Sequence, residues 1–403
     1  MSRQRLVVLT SGLVAVTTGC SVQYGASFLI PELRAEGLDL AQAGALAGAP
    51  IGGLLATLYL WGAAADRWGE RLVMSTGLTI GGAALLTWFA ALSSSDPGAH
   101  GLRPLPLAAA LAAAGAGTAA VHAASGRLVL GWFAPHERGR AMAVRQTAQP
   151  LGVAIAALAL PPLATVGLRV AIGALGAACL VAAAVAVALV RDPPARSAAA
   201  GADAADNTSP YRTAMLWRIH AASSLLVVPQ FLTATYALVY LVDALHWASV
   251  PAGRLVAAAQ FGGAVNRLVV GWWSDRAGSR LGPMRRLAVG IAAVLGVLAL
   301  ATLSGSAVLA VTALVAATVL SSSTNGLAFT AVAERAGSAW AGRALGVQNT
   351  AQNAFAAATP AAFGAVIGAV GYATTFGLAL TLPLAACLLV PVSSERRVRA
   401  QTP

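Results

Sequence analysis

The string GAAADRWGER at residues 62–71 concentrates charge in a 403-residue chain that is 58% hydrophobic and only 10% charged. It returns as GWWSDRAGSR at residues 271–280, 209 positions later. Both copies read G-x-x-x-D-R-x-G-x-R, and each directly follows a long apolar segment. A charged string repeated at matching places predicts that the chain consists of two related halves.

The composition predicts a membrane protein. Soluble domains carry about 25% charged residues, whereas this chain carries 10% and has a mean hydropathy of +0.74. Twelve apolar stretches are long enough to cross a hydrocarbon core as helices, and their Ala-, Leu- and Gly-rich runs favour close helix packing. The predicted spans are Leu6 to Leu29, Ala41 to Trp61, Leu72 to Leu92, Leu107 to Trp132, Ala141 to Leu160, Val170 to Val190, Met215 to Val242, Leu255 to Trp273, Leu287 to Leu303, Ala307 to Val332, Ala344 to Ala369 and Thr374 to Val392.

A second repeat supports two halves. GRAMAVRQTAQP, which starts at Gly139, matches GRALGVQNTAQN, which starts at Gly342, at an offset of 203. The stretch between the sixth and seventh spans is rich in Pro, Ala, Asp and Ser and has no apolar period, as in a flexible linker. We therefore expect an all-α membrane protein of two pseudo-symmetric six-helix bundles, 1–190 and 213–392, with a cytoplasmic linker at 191–212 and a cytoplasmic tail at 393–403.

The arginines predict the orientation. All 26 basic residues are arginine, and the net charge is +12. With both termini in the cytoplasm, eighteen arginines fall on the inner side and four on the outer side, as the positive-inside rule requires. The net positive charge and its distribution thus indicate a multi-pass protein of the inner (plasma) membrane rather than a protein that binds nucleic acid. We expect a monomer in the lipid bilayer that binds a small-molecule substrate.

Other classes of protein find little support. Cys20, Cys179 and Cys387 lie far apart inside predicted spans, without metal-site spacing. The amino end could be a secretory or lipoprotein signal ending at Cys20, but eleven further spans follow. The chain has no lysine, no phosphate-binding glycine loop and no catalytic cluster, so we expect neither an enzyme nor a cofactor. The HERG string at 136–139 is interpreted as topology and gating.

Twelve spans, a linker after the sixth, and the charged string after spans 2 and 8 resemble the major facilitator superfamily. The matching residues are Gly62, Asp66, Arg67, Gly69 and Arg71 in the first copy and Gly271, Asp275, Arg276, Gly278 and Arg280 in the second. The resemblance covers essentially the whole chain and implies that these loops latch the halves on the cytoplasmic side when the transporter is open outward.

Physical chemistry gives reasons for the residue types of this gating motif. The first glycine permits a close helix contact and the second a tight turn. The aspartate can accept hydrogen bonds from an arginine or from a helix amino terminus. The alternative is that the arginines only set the topology, although the positive-inside rule does not call for acids.

The remaining four arginines lie in or at the edge of predicted spans: Arg127, Arg145, Arg218 and Arg267. Three of them, Arg127, Arg145 and Arg267, are candidates for a role inside the membrane. Such residues are costly and usually face a cavity or a partner, and a planar guanidinium suits a carboxylate or another oxyanion. Gln149 lies one turn after Arg145, on the same face of span 5. The alternative to a role in substrate binding is that these long side chains extend to the cytoplasmic interface of the membrane.

The repeat adds further candidates for substrate binding. Gln348 and Gln352 in span 11 correspond to Arg145 and Gln149 in span 5. Each candidate could instead form an interhelical hydrogen bond. The other candidates, on spans that line the cavity in the superfamily, are Gln23, Tyr24, His122, Gln230, Tyr236, Tyr240 and Asn325.

Arg267 before Leu-Val-Val-Gly271 resembles the span-8 arginine of oxalate/formate antiporters and monocarboxylate carriers. Nitrate porters pair this arginine with a second arginine in span 2. This chain has Thr57-Leu58-Tyr59 there instead, so the sequence does not favour nitrate as the substrate. The hypothesis is a secondary active transporter of a small organic solute, an anion by this resemblance, working by alternating access. A drug or metabolite exporter and a transport-dead receptor are the alternatives. The coupling ion stays open, since the spans hold few titratable groups: His122, Asp243 and Glu334.

Overall fold

The computed structural model describes residues 3–93, 104–133, 141, 144–193, 209–393 and 395. The HERG string, residues 194–208 of the predicted linker and residues 396–403 of the predicted tail lie outside this part of the chain. Within it, all regular structure is helical. The all-α fold class is therefore confirmed.

Thirteen helices follow one another along the described residues. Their bounds are α1 Arg3–Gly25, α2 Ile30–Ala35, α3 Leu40–Trp68, α4 Glu70–Ser93, α5 Pro104–Trp132, α6 Ala148–Val166, α7 Leu168–Leu189, α8 Ala214–Asp243, α9 Ser249–Ala277, α10 Leu281–Leu303, α11 Ala307–Ser321, α12 Thr324–Ala379 and α13 Thr381–Leu389. Short 3₁₀ turns at Ala26–Leu29 and Pro210–Arg212 precede α2 and α8. Predicted span 5 corresponds to the apolar segment Val144–Val166, in which a turn at Thr147 separates the helical residues 144–146 from α6.

Ten helical segments of the described chain are long and apolar enough to cross a membrane. The last of them, Trp340–Leu389, has 50 residues and is broken at Gly371, whose φ of 77° and ψ of 172° are not helical. It therefore covers predicted spans 11 and 12. Helix α9, which contains predicted span 8, is not among the ten. The multi-pass membrane architecture is confirmed, and the count of twelve spans stays a prediction.

Local sequence explains how helices start and stop. At the start of α3, the Asp39 carboxylate accepts the backbone N–H of Gln42 at 2.7 Å, and the Gln42 side chain accepts the N–H of Asp39 at 3.1 Å. This reciprocal pair satisfies donors that a helix end leaves open. The same helix ends at Gly69, whose φ of 82° favours glycine.

The chain divides into two compact units. Unit 1 comprises Met1–Ala198 with Trp247–Ala257, and unit 2 comprises Ala199–His246 with Ala258–Pro403. In unit 1, α5 packs against α1, α3 and α4, while α7 packs against α1, α4 and α6. In unit 2, α8 packs against α11, α12 and α13, and α10 contacts the same three helices. The predicted bundle boundaries at 190 and 213 stay a prediction.

Candidate functional site

The first gating motif forms a charged network within unit 1. Arg127 of α5 binds Asp66 and donates from Nε to the Glu70 carboxylate at 3.0 Å. Glu70 is buried, with 5% of its surface exposed. The Asp192 carboxylate, after α7, accepts the backbone N–H of Arg71 at 2.8 Å. An acid at this place stabilises the amino end of α4.

The second motif forms a related network within unit 2. Arg280 binds Asp275 and donates from Nε to Glu334 at 3.1 Å. Burial alone would lower the pKa of Arg280, but its bonds to Asp275 and Glu334 outweigh this and raise the pKa above its ordinary value. The buried Glu395 accepts the backbone N–H groups of Arg280 at 2.8 Å and Leu281 at 3.2 Å.

The two networks have the same arrangement, except that the residue supplied by the fourth span of each half has opposite charge. Asp192 and Glu395, 203 positions apart, each bind the first turn of the helix that follows a motif. In unit 1, span 4 supplies a cation, Arg127, to the motif, whereas in unit 2, span 10 supplies an anion, Glu334. The structure thus brings Arg127 to the gating motif through Asp66. Sequence reasoning missed Glu70, Asp192 and Glu395, although the shared offset was a usable signal.

The remaining motif positions have separate roles. Gly69 and Gly278 have φ values of 82° and 54°, as expected for tight turns. A Cβ added at Gly62 or Gly271 would meet no heavy atom within 4 Å, so close helix packing does not explain these two glycines here. The guanidiniums of the two arginines after the aspartates stack on tryptophan rings. These pairs are Arg67 on Trp68 at 5.8 Å and Arg276 on Trp272 at 4.4 Å.

Unit 1 gathers several predicted substrate residues around α5. Arg145 donates from Nε to the Ser125 hydroxyl at 2.8 Å and from Nη2 to the backbone carbonyl of His122 at 3.2 Å. The His122 Nε2 lies 3.0 Å from Oε1 of the buried Gln23. Gln149 instead donates to the Tyr24 hydroxyl at 3.1 Å, so Arg145 contacts α5 and Gln149 contacts α1.

Arg145 also borders a pocket between α1 and α5. Its other lining residues are Val8, Leu9, Gly12, Leu13, Ser125, Leu128, Val129 and Phe133. Nearly all of these side chains are apolar. The guanidinium is therefore the charged group in the lining of this pocket.

Unit 2 has a corresponding polar cluster. Gln230 of α8 accepts from the Asn325 amide at 2.9 Å, and Asn325 accepts from the Gln352 amide at 3.2 Å. Arg267 of α9 donates from Nε to the Ser322 carbonyl at 2.7 Å. The adjacent Asn266 donates to the Ser323 hydroxyl at 2.7 Å. Three predicted residues thus form one chain of amides, with Arg267 at the break between α11 and α12.

The sequence analysis did not predict the break between α11 and α12. Ser321, Ser322, Ser323 and Thr324 are four consecutive hydroxyl residues in predicted span 10, and all four are buried. Their hydroxyls can bond to nearby carbonyls and so compete with regular helix hydrogen bonds. The run of hydroxyls was the signal that could have located this site.

Gln348 lies in a different environment from Gln352. It accepts from Nδ1 of His220 and donates to the Ser223 hydroxyl, and all three residues are buried. The Tyr211 hydroxyl lies 3.1 Å from Nε2 of His220. Burial raises the pKa of Tyr211, so it stays protonated and can donate. His220 is thus part of a buried network.

The two predicted tyrosines of α8 bind within unit 2. Tyr236 donates to the carbonyl of Pro360 in α12. The Tyr240 hydroxyl lies 2.8 Å from that of Thr302 in α10. Both side chains are almost fully buried. These contacts fit the alternative interpretation, an interhelical hydrogen bond.

A family model for the Major Facilitator Superfamily matches residues 12–360. The chain belongs to this superfamily. It is 42% identical over 385 residues to an uncharacterized MFS-type transporter of Mycobacterium tuberculosis. This alignment covers 94% of the chain and 84% of the relative. The relationship supports a membrane transporter rather than an enzyme.

Solved structures show the same fold. A bacterial homolog of the human lysosomal transporter Spinster matches with a TM-score of 0.80 at 14% identity, over 98% of both chains. The D-xylose–proton symporter gives 0.75 at 15% identity, over 96% of this chain and 97% of that one. The nucleoside transporter NupG gives 0.72 at 14% identity, over 96% and 98%. At these identities the likeness concerns the fold alone.

Proposed function

We propose that this superfamily transporter is a secondary active carrier of a small organic anion and that it works by alternating access. The observation that carries the proposal is Arg145, which borders an apolar pocket of unit 1 near the start of the membrane-span segment Val144–Val166. Charged residues within membrane segments are rare and usually face a cavity or a partner, so its presence favours a functional role. A carboxylate is the ligand that best matches the planar guanidinium fork.

Arg267 is the proposed second cation, in unit 2. It lies beside the broken span, where Ser322 and the amides of Gln230, Asn325 and Gln352 are concentrated. Side-chain amides can bind substrate hydroxyl or carbonyl groups. This composition favours a small polar acid over a bulky apolar drug.

Alternating access is supported by the internal repeat and by family membership. Transporters with repeated halves move one repeat relative to the other to expose the substrate site on each side in turn. The motif networks of Arg127 and Arg280 are proposed to stabilise one of these states. We further propose a monomer in the inner membrane with both termini in the cytoplasm, because the arginines follow the positive-inside rule. A carboxyl-terminal fluorescent-protein fusion tests the orientation, since it fluoresces only if that end is cytoplasmic.

The experiment on substrate class combines binding with transport. Lactate and oxalate are screened for a rise in the melting temperature of the purified protein, and uptake is then measured in proteoliposomes. Arg145→Gln and Arg267→Gln are expected to lose most of the uptake while staying folded. Arg254→Gln is the matched control, because Arg254 is exposed. Full uptake by both variants would contradict the anion assignment, and resistance to drugs on overexpression would favour an exporter instead.

A further inference from the structure

The two units place different groups at equivalent positions of one polar pair. At an offset of 203, His122 of span 4 corresponds to Asn325 of span 10. His122 pairs with Gln23 at 3.0 Å, and Asn325 pairs with Gln230 at 2.9 Å. Both pairs join the equivalent helices, the fourth and first spans of each half. The fold therefore accepts a neutral amide at this position, and unit 1 uses a titratable imidazole instead.

A second pair of equivalent positions also has an ionisable side chain in unit 1 and an amide in unit 2. Arg145 corresponds to Gln348 at the same offset of 203. Arg145 donates to the backbone carbonyl of His122, and its charge acts on the imidazole, so a permanent cation lies near the ring. Unit 1 thus pairs a fixed charge with a variable one, whereas unit 2 has amides at both places.

The hydrogen bonds around His122 indicate its tautomer. The Thr118 hydroxyl donates to the Ala114 carbonyl at 2.9 Å, so its oxygen can accept the Gln23 amide at 3.4 Å. Gln23 then turns its carbonyl oxygen toward Nε2 of His122. This assignment, made from the network, puts the hydrogen of the neutral ring on Nε2. Nδ1 is the nitrogen that can take a second proton.

We propose that His122 is the proton-binding site that couples this carrier to a proton gradient, with Arg145 making the proton and the anion bind together. An imidazolium beside the guanidinium of Arg145 repels it. An anion bound to Arg145 cancels this repulsion, so each ligand promotes binding of the other, as linkage requires. A proton from one side adds to Nδ1 and leaves from it on the other side, without any covalent change in the substrate. This proposal rests on the function proposed above.

Several other charged and titratable groups on the helices packed against α5 have partners or neighbours of their own. Asp66 and Glu70, from α3 and α4, bind Arg127, which lies five residues along α5 from His122, or about 7.5 Å at the helical rise. From α1, Tyr24 bonds with Gln149, and the buried Cys20 lies near Arg145. Within the part of the chain that the structure describes, Arg145 is the cation that directly contacts His122.

The test uses His122→Asn, the residue that unit 2 has at the equivalent position. Proteoliposomes take up radiolabelled lactate and, separately, oxalate, with and without an inward proton gradient, and uptake by protein-free vesicles is subtracted. In the wild type the gradient is expected to raise initial uptake several-fold. In His122→Asn that ratio is expected to fall to unity, whatever the remaining rate. The matched control is His246→Asn, because His246 is exposed and its φ of 56° tolerates asparagine.

Each outcome decides the proposal. A gradient effect that survives in His122→Asn, or a wild type that exchanges either acid without responding to the gradient, overturns proton coupling at His122 and leaves anion transport standing. If neither acid is transported by the wild type, both the proposed function and this inference fail. His122→Gln provides a second amide variant if His122→Asn does not fold, and it is expected to lose the gradient effect in the same way.

Discussion

The Asp192 carboxylate accepts the backbone N–H of Arg71 at 2.8 Å, so the acid that follows α7 binds the first turn of α4. Glu395 has the same relationship to Arg280, also at 2.8 Å. In each half of the chain, a carboxylate that follows the sixth predicted span thus accepts a backbone hydrogen bond from the last residue of the motif. Because the contact uses backbone N–H groups, it fixes the position of the helix end whatever the arginine side chain does.

The two acids are expected to differ in their contribution to stability. Glu395 is buried and also accepts from Ser279 and Leu281, whereas Asp192 is exposed. Glu395→Gln should cost about 1.5–3 kcal/mol, the range for hydrogen bonds to a charged group, and Asp192→Asn about 1 kcal/mol or less, as for a helix cap. Thermal melting of the detergent-solubilised protein measures both, and an equal loss would show that burial of Glu395 adds nothing.

Arg127 is expected to act through Glu70. Arg127→Ala leaves the buried Glu70 carboxylate without its ion-pair partner, which should cost about 1–3 kcal/mol. Adding Glu70→Gln should recover part of that loss, since no charge is then left buried. A double-mutant cycle measures the coupling. Strictly additive losses would mean that the pair contributes no interaction energy.

Two glycines of the first motif are expected to respond oppositely to alanine. Gly69 has a φ of 82° and a ψ of 167°, a region that other residues avoid, so Gly69→Ala should cost about 1–3 kcal/mol. Gly62 is helical with open space around its Cα, and Gly62→Ala should be neutral or stabilise by up to about 1 kcal/mol. Melting temperatures separate the two variants. Strong destabilisation by Gly62→Ala would reveal a contact that this structure does not contain.

Gln348 is expected to support folding more than transport. Gln348→Ala removes the partner of His220 and of Ser223 in a buried network, which should cost about 1–3 kcal/mol and a few degrees in melting temperature. The neighbouring Asn349→Ala is the control, because Asn349 bonds to Asn353 on its own helix. If Gln348→Ala abolished uptake at unchanged stability, Gln348 would belong to the substrate site.

Much of the fold followed from the sequence, because its signals are local. A hydrophobic run of sufficient length must form a helix in lipid, since no water is present to satisfy its backbone groups. The strings at 62–71 and 271–280 and the shared offset of 203 placed the repeat. The same offset relates Arg145 to Gln348. The turn glycines Gly69 and Gly278 were also predictable from the motif.

The sequence by itself thus determined the all-α membrane class, the two-fold repeat and the residues of the gating motifs. Only the tertiary structure decided that Arg127 pairs with Asp66, 61 positions away, and that His220 bonds to Gln348, 128 positions away. The reason is geometric. A helix that is apolar on all sides carries no stripe to show which face meets a neighbour, so its rotation, and with it every polar pairing between helices, depends on packing over the whole bundle.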